Sequence, residues 1–406
     1  MALLGCGQPP SKSPSKTISM TPDDTRWLSV KALGQHYEAG TLTAATAVAH
    51  AQARMAKEDH GPQGYGAIIG LVPDIADQIT QLKHKAKAAH TLAGIPIVIK
   101  DNIAVQGAPT TAGSLALADN IARRDAEVVA QLKSKGAIIL ARSNLSEWAN
   151  FRDPGSTSGW SSLGGQTRNA YAPDRNPCGS SAGSAVAVAR GYVPLALGTE
   201  TDGSIICPAS VNGIVGIKPT LGVVSTAGVI PLAASQDVIG PMARSVQDAA
   251  LLLAAMMGPA HSELAKSVAA AGRKGAPLDG IRLGVVTNLG RGSHDVDRIF
   301  SQLRGRLVRQ GVQLIEVTAP HLEQVSQDEQ FLLLHEFKQG IDAYLRTTPL
   351  SGRFSGLVDL ITFNQTNAAK VLPYFGQTFF LMANQTGATT QYRYQAARQR
   401  AQSLAG

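Results

Sequence analysis

Between Cys178 and Thr220 the chain reads CGSSAGSAVAVARGYVPLALGTETDGSIICPASVNGIVGIKPT, a stretch of Gly, Ser and Ala with almost no charge. Side chains this small suit tight turns and the close approach of a helix to a sheet rather than a solvated surface. Two serine-bearing loops, residues 179–184 and 201–204, are joined there by a small-residue helix over 183–190 and an apolar strand over 193–197. The same alternation runs on either side. Residues 95–100 form a β-branched run bounded by Gly94 and Asp101-Asn102, which predicts a buried strand ending on Lys100. Residues 126–135 have helical spacing with Gly136 as a stop, and 137–141 read as another buried strand. Helix, strand, helix and strand follow at 246–257, 281–287, 295–310 and 312–317, the last three extending the sheet. The alternation predicts an α/β fold, a sheet covered by helices on both faces.

The remainder sets the boundaries. Residues 1–20, with Pro9, Pro10 and Pro14, read as a leader or linker. Residues 21–92, with helices expected over 44–57 and 74–90, form a helical N-terminal layer, and 93–406 the core. Within the core, 258–277 read as a loop, 322–345 as mostly helical and 389–405 as an Arg-rich helix. The aromatics of 354–380 either pack a core or line a groove.

Composition narrows the partners. The net charge is +8, but Lys and Arg are scattered without an interleaved aromatic stripe, so no nucleic-acid partner is expected. No apolar run is long enough for a transmembrane segment. The three cysteines make no CxxC pair and no Cys/His zinc spacing, so no metal is expected. Cys178 and Cys207 are either free thiols or a disulfide. Leu3-Leu4-Gly5-Cys6 resembles a lipobox, yet a basic n-region and a longer apolar stretch are missing. Location is therefore open between cytoplasmic and exported with a lipid anchor at Cys6.

The chemistry is drawn to three residues. A lysine closing a buried strand snorkels to solvent, pairs with a carboxylate such as Asp101, or sits desolvated. In the last case its pKa falls and it can act as a base near neutrality. Ser204 follows Thr201-Asp202-Gly203 on a turn where successive backbone N–H groups can converge on an oxyanion. Residues 179–183 also match G-x-S-x-G, which would make Ser181 a nucleophile. The segment before it, Tyr171-Ala-Pro-Asp-Arg-Asn-Pro177, is not the hydrophobic strand that such an elbow requires. None of the nine histidines lies in this stretch, which moves the role of base toward Lys100.

Taken together, Gly94-Ile-Pro-Ile-Val-Ile-Lys100-Asp-Asn, Cys178-Gly-Ser-Ser-Ala-Gly-Ser184, Gly198-Thr-Glu-Thr-Asp-Gly-Ser204 and Gly213-Ile-Val-Gly-Ile-Lys-Pro-Thr220 resemble the amidase signature family. The resemblance covers roughly residues 25–405 and implies a large mixed β-sheet core covered by helices on both faces, with a Ser–cisSer–Lys triad. In it Ser204 is the nucleophile, Ser180 the relay behind a non-proline cis peptide, and Lys100 the base. The amides of Thr201, Asp202, Gly203 and Ser204 would form the oxyanion hole, and no cofactor is implied. Glu200 and Asp202 replace the family's commoner Asp and Gly, and that variant resembles the bacterial peptide amidase branch. Asn144-Leu-Ser-Glu-Trp-Ala-Asn-Phe151 looks like that branch too.

The implied activity is hydrolysis of carboxylic amides, with C-terminal peptide amides as the substrate class. The alternatives are an A-type component of an amidotransferase and an inactive remnant, since the chain looks C-terminally shortened against the family pattern. Ile206 stands where the amidotransferase pattern places an arginine for a glutamine carboxylate.

Overall fold

The computed structural model describes residues 20–85, 92–273, 277–289 and 292–405. Most of the leader, with Cys6, lies outside them, as does the end of the helix expected over 74–90. At the N-terminal side are α1 (Val30–Glu38) and α2 (Ala44–Glu58), each opened by a hydroxyl N-cap, Ser29 and Thr43. Then come β1 (Ile68–Leu71), α3 (Ile75–Lys85), β2 (Pro96–Lys100), α4 (Glu127–Ser134) and β3 (Ile138–Ser143). The small-residue stretch gives α5 (Ala182–Ala189), β4 (Leu195–Glu200), α6 (Ile206–Val211) and β5 (Val215–Gly216). Next are β6 (Val238–Ala243) and α7 (Val246–Met256).

These strands form one six-stranded sheet in the order β1-β3-β2-β4-β6-β5. The central trio β3, β2 and β4 is parallel, and β1, β6 and β5 pair antiparallel at the sides. Alternation along β2 sends its side chains into two cores. Ile97 and Ile99 pack with Val128, Val129 and Leu132 of α4 and with Leu252 and Met256 of α7. Val98 packs on the opposite face with Val48 and Met55 of α2 and Val186 and Val188 of α5. All three β2 residues are fully buried, a contribution of about 1.5–3 kcal/mol each. Every residue of α5 is buried. A Cβ on Gly183 would strike the carbonyl oxygens of Ala67 and Asn144, so only a minimal side chain lets α5 start there.

Four sequence expectations are corrected. Residues 68–71, within the stretch read as helical, supply an edge strand; the short run with Gly70 carries too little pattern to show it. The stretch 258–277, read as a loop, is helical over its described part: a 3-10 turn (Pro259–His261) leads into α8 (Ser262–Arg273). Pro259 is at the first helical position, where a missing N–H costs nothing, and Ala265 and Val268 pack on the first core. A proline so soon after Ser204 is expected to keep the chain from starting a helix at once, yet Pro208 does not delay α6, because it falls in that helix's first turn.

The fourth correction concerns β7 (Arg282–Val286), α9 (His294–Arg309) and β8 (Gln313–Val317), which do not extend the main sheet. They make a separate two-stranded parallel sheet with its own helix. Val296, Ile299, Phe300 and Leu303 of α9 stand about half exposed.

The C-terminal part is helical: α10 (Leu322–Thr347), α11 (Leu357–Thr366), α12 (Thr378–Asn384) and α13 (Tyr392–Ala405). Core packing accounts for Phe354 and Phe380, which join Trp148, Phe151 and Phe337 in a third cluster with Phe363 and Phe379 against it. Tyr374 and Phe375 instead set their rings edge-on to Trp160.

Candidate active site

Lys100 lies two residues beyond Val98 at the carboxyl end of β2, between β3 and β4, and is completely buried. Snorkelling is therefore ruled out. Its Nζ lies 2.7 Å from Ser180 Oγ, 2.8 Å from Thr199 Oγ1 and 3.1 Å from the Thr199 carbonyl oxygen. Asp101 is not its partner, because that carboxylate is held by Arg142 of β3 at 2.6 Å and by the Thr111 hydroxyl. Burial lowers the Lys100 pKa to about 7, against the pull of the Asp237 and Glu200 carboxylates in the opposite direction. Burial likewise raises Asp101 to about 6, opposed by Arg142.

Ser180 reaches the lysine from the loop that opens α5, and the Gly179–Ser180 peptide is cis. The loop is fixed from both ends. The Ser146 amide donates to the Ser180 carbonyl at 3.1 Å, and the Ser181 amide donates to the Ser204 carbonyl at 3.0 Å. That second bond joins the two serine loops. Ser181, the serine of the G-x-S-x-G match, is buried; its hydroxyl donates to the Thr199 carbonyl and accepts from the Thr199 amide. It ties α5 to β4, and its oxygen is already engaged.

Ser204 sits at the turn between β4 and α6, after Gly203 at φ +77°, a left-handed conformation that glycine adopts without strain. Among the described residues the amides of Thr201, Asp202, Gly203 and Ser204 find no acceptor in the protein. The turn is braced beneath them. Glu200 Oε2 accepts from the Ile205 and Ile206 amides at 2.6 and 2.9 Å, capping α6. The Thr201 hydroxyl donates to Asp237 at 2.6 Å, and Lys218 Nζ to the Thr201 carbonyl at 2.7 Å. Cys178 and Cys207 form a disulfide, Cα atoms 5.9 Å apart, linking the Ser180 loop to α6 just after Ser204.

The structure thus brings Lys100, Ser180 and the Ser204 turn together from four elements. It also adds residues that the sequence did not single out: Asn102, whose Nδ2 donates to Thr199 Oγ1 at 3.0 Å, and Thr199 and Asp237. Of these, Thr199 carried a signal, lying two residues past the apolar run that gives β4.

Comparison with known proteins follows the same line. The family model described as Amidase matches residues 57–405. A probable amidase of Arabidopsis thaliana is 39% identical over 342 residues, 79% of this chain and 65% of that protein. The A-type component of the glutamyl-tRNA(Gln) amidotransferase of Symbiobacterium thermophilum is 41% identical over 275 residues, 64% of this chain and 54% of that protein. The chain thus spans less than two thirds of the length of either relative. Among solved structures, the peptide amidase of Stenotrophomonas maltophilia superposes with a TM-score of 0.86 at 40% identity, covering 94% of this chain and 80% of the other.

Proposed function

The chain belongs to the amidase family, and from that premise we propose that it hydrolyses carboxylic amides through an acyl-enzyme on Ser204. The observation that carries the proposal is the 2.7 Å contact between a fully buried lysine amine and Ser180 Oγ. An amine with a pKa near 7 is largely neutral at physiological pH and has a lone pair for a proton. Ser204 attacks the carbonyl carbon of the amide as its hydroxyl proton passes to Ser180 Oγ, whose own proton passes to Lys100 Nζ. The carbonyl oxygen becomes an oxyanion facing the free amides of residues 201–204, which need no reorganisation to receive it. Collapse breaks the C–N bond, and the leaving nitrogen takes the proton back from Lys100 through Ser180. Water then attacks the ester by the same relay, giving the acid and restoring Ser204.

C-terminal peptide amides are the substrate class we favour. The likeness to the Stenotrophomonas peptide amidase supports it, and so does Ile206, which offers no charge to a free glutamine carboxylate. Identity to the amidotransferase component supports a second reading, cleavage of glutamine as an ammonia donor. Ammonia release from an N-acetylated dipeptide amide and from glutamine separates the two. The dipeptide amide is expected to be the better substrate, and Ser204→Ala to cut its turnover at least about 10³-fold. Undiminished release by that variant would overturn the proposal.

A further inference from the structure

Thr199, which holds the lysine, also lines a small cavity. Asn102 and Trp148 line it too, with the polar side chains of Thr201, Thr226 and Asp237, apolar residues of the β6 region and Phe337 of α10. It leaves about 20 Å³ for the centre of a water molecule, enough to hold a water. Two of its lining residues bring buried polar atoms that have no partner among the described residues, Asn102 Oδ1 and Trp148 Nε1. One can only accept and the other can only donate, the pair that a single bridging water satisfies. The Trp148 ring is held in place by edge-on contacts with Phe337 and Phe380. Its backbone occupies the left-handed region at φ +52°, followed by Ala149 at +55° and Asn150 at +68°.

Lys100 gives the site its meaning. The Thr199 carbonyl can only accept, so it takes one hydrogen of the neutral amine. If Thr199 Oγ1 takes the other, the lone pair is left for the Ser180 hydroxyl, the arrangement a base requires. If the Thr199 hydroxyl turned its own proton on the amine, it would occupy that lone pair. Asn102 Nδ2 already donates to Thr199 Oγ1, so the direction of the hydroxyl proton is what remains to be set.

We propose that the cavity holds one structural water, which accepts from Trp148 Nε1 and the Thr199 hydroxyl and donates to Asn102 Oδ1. Asn102 and Trp148 are thereby positioning residues that aim the Lys100 lone pair at Ser180. The aiming rests on the amide-hydrolase reading of the site; the water does not.

A crystal structure of the protein at about 1.5 Å tests the water directly, with density expected within about 3.2 Å of both orphan atoms. Density bridging neither atom would overturn the site. The aiming is tested by the pH dependence of Ser204 labelling with a fluorophosphonate, which does not depend on the natural substrate. In Trp148→Phe the labelling rate at its plateau is expected to fall about tenfold. Its acid limb should move to lower pH, because a hydroxyl donating to the amine stabilises the neutral form. The other charges facing Lys100, those of Asp237, Glu200 and the Asp101–Arg142 pair, are untouched by the substitution. Simple loosening would admit solvent and move the limb upward; that shift, or none, would overturn the aiming. A wild-type protein that is not labelled at all would overturn the hydrolase reading and the aiming together, leaving the water to the crystal structure.

Discussion

Lys100 shows how one side chain acquires a function from its surroundings. An exposed lysine is protonated at neutral pH, whereas here burial brings its pKa to about 7. The proposed base works only when unprotonated. Amide turnover should therefore rise with pH up to about 7 and level off above it, as a profile of kcat/KM against pH would read. A profile flat from pH 5.5 to 8 would remove Lys100 as the base. The lysine was legible in the sequence because it closes a β-branched strand. Its neighbours were less so. Thr199 and Asn102 are ordinary polar residues whose roles come from the pairing of β2 with β4, which places the ends of two distant segments side by side. Ser181 shows the converse, a motif whose oxygen the fold has already committed to Thr199.

Among the elements, the link between the Ser180 loop and α6 governs how well the two serines stay in register. The Cys178–Cys207 disulfide closes a loop of sequence separation 29, which on chain-entropy grounds contributes about 3–4 kcal/mol. Replacing both cysteines by serine should lower stability by that order in a denaturant melt, and reductant should shift the melt of the wild type but not of the variant. A second brace is the fully buried Glu147–Arg152 pair, whose Arg152 also donates to the Gly376 and Phe375 carbonyls. It fixes the segment after Ser146 to the chain before α12. Neither brace was legible beforehand. The cysteines left two states open, and a Glu and an Arg five residues apart look like a solvated pair. The core strands β2, β3 and β4 were legible because both their faces are buried, so they read as continuous apolar runs. The strands β1 and β5 are too short to carry a pattern, and β6 is broken by Gly240 and Pro241.

Across the whole molecule, order is concentrated where the proposed chemistry is. Ile97, Val98 and Ile99 of β2 and Leu195, Ala196 and Leu197 of β4 have no exposure, whereas most of β7 and α9 is exposed. Local opening follows burial. Amide hydrogen exchange should therefore be slowest in β2, β3 and β4 and faster by orders of magnitude in β7, α9 and β8, as mass spectrometry of peptic fragments would show. Equal protection in the two regions would contradict this division. The alternation of strand and helix foretold one sheet, whereas residues 281–317 supply a separate two-stranded one. Residues 281–317 have the same β-α-β pattern whether or not they pair with the main sheet.

The burial of Lys100 has one more consequence, for the traffic of protons. Its amine touches two protein residues, Thr199 and Ser180, and only the second is a route by which a proton can leave toward the substrate. In the proposed mechanism a proton taken from the nucleophile is then kept out of exchange with the bulk until a departing nitrogen claims it. Each cleavage would be a closed circuit, in which the leaving group receives the hydrogen that Ser204 gave up.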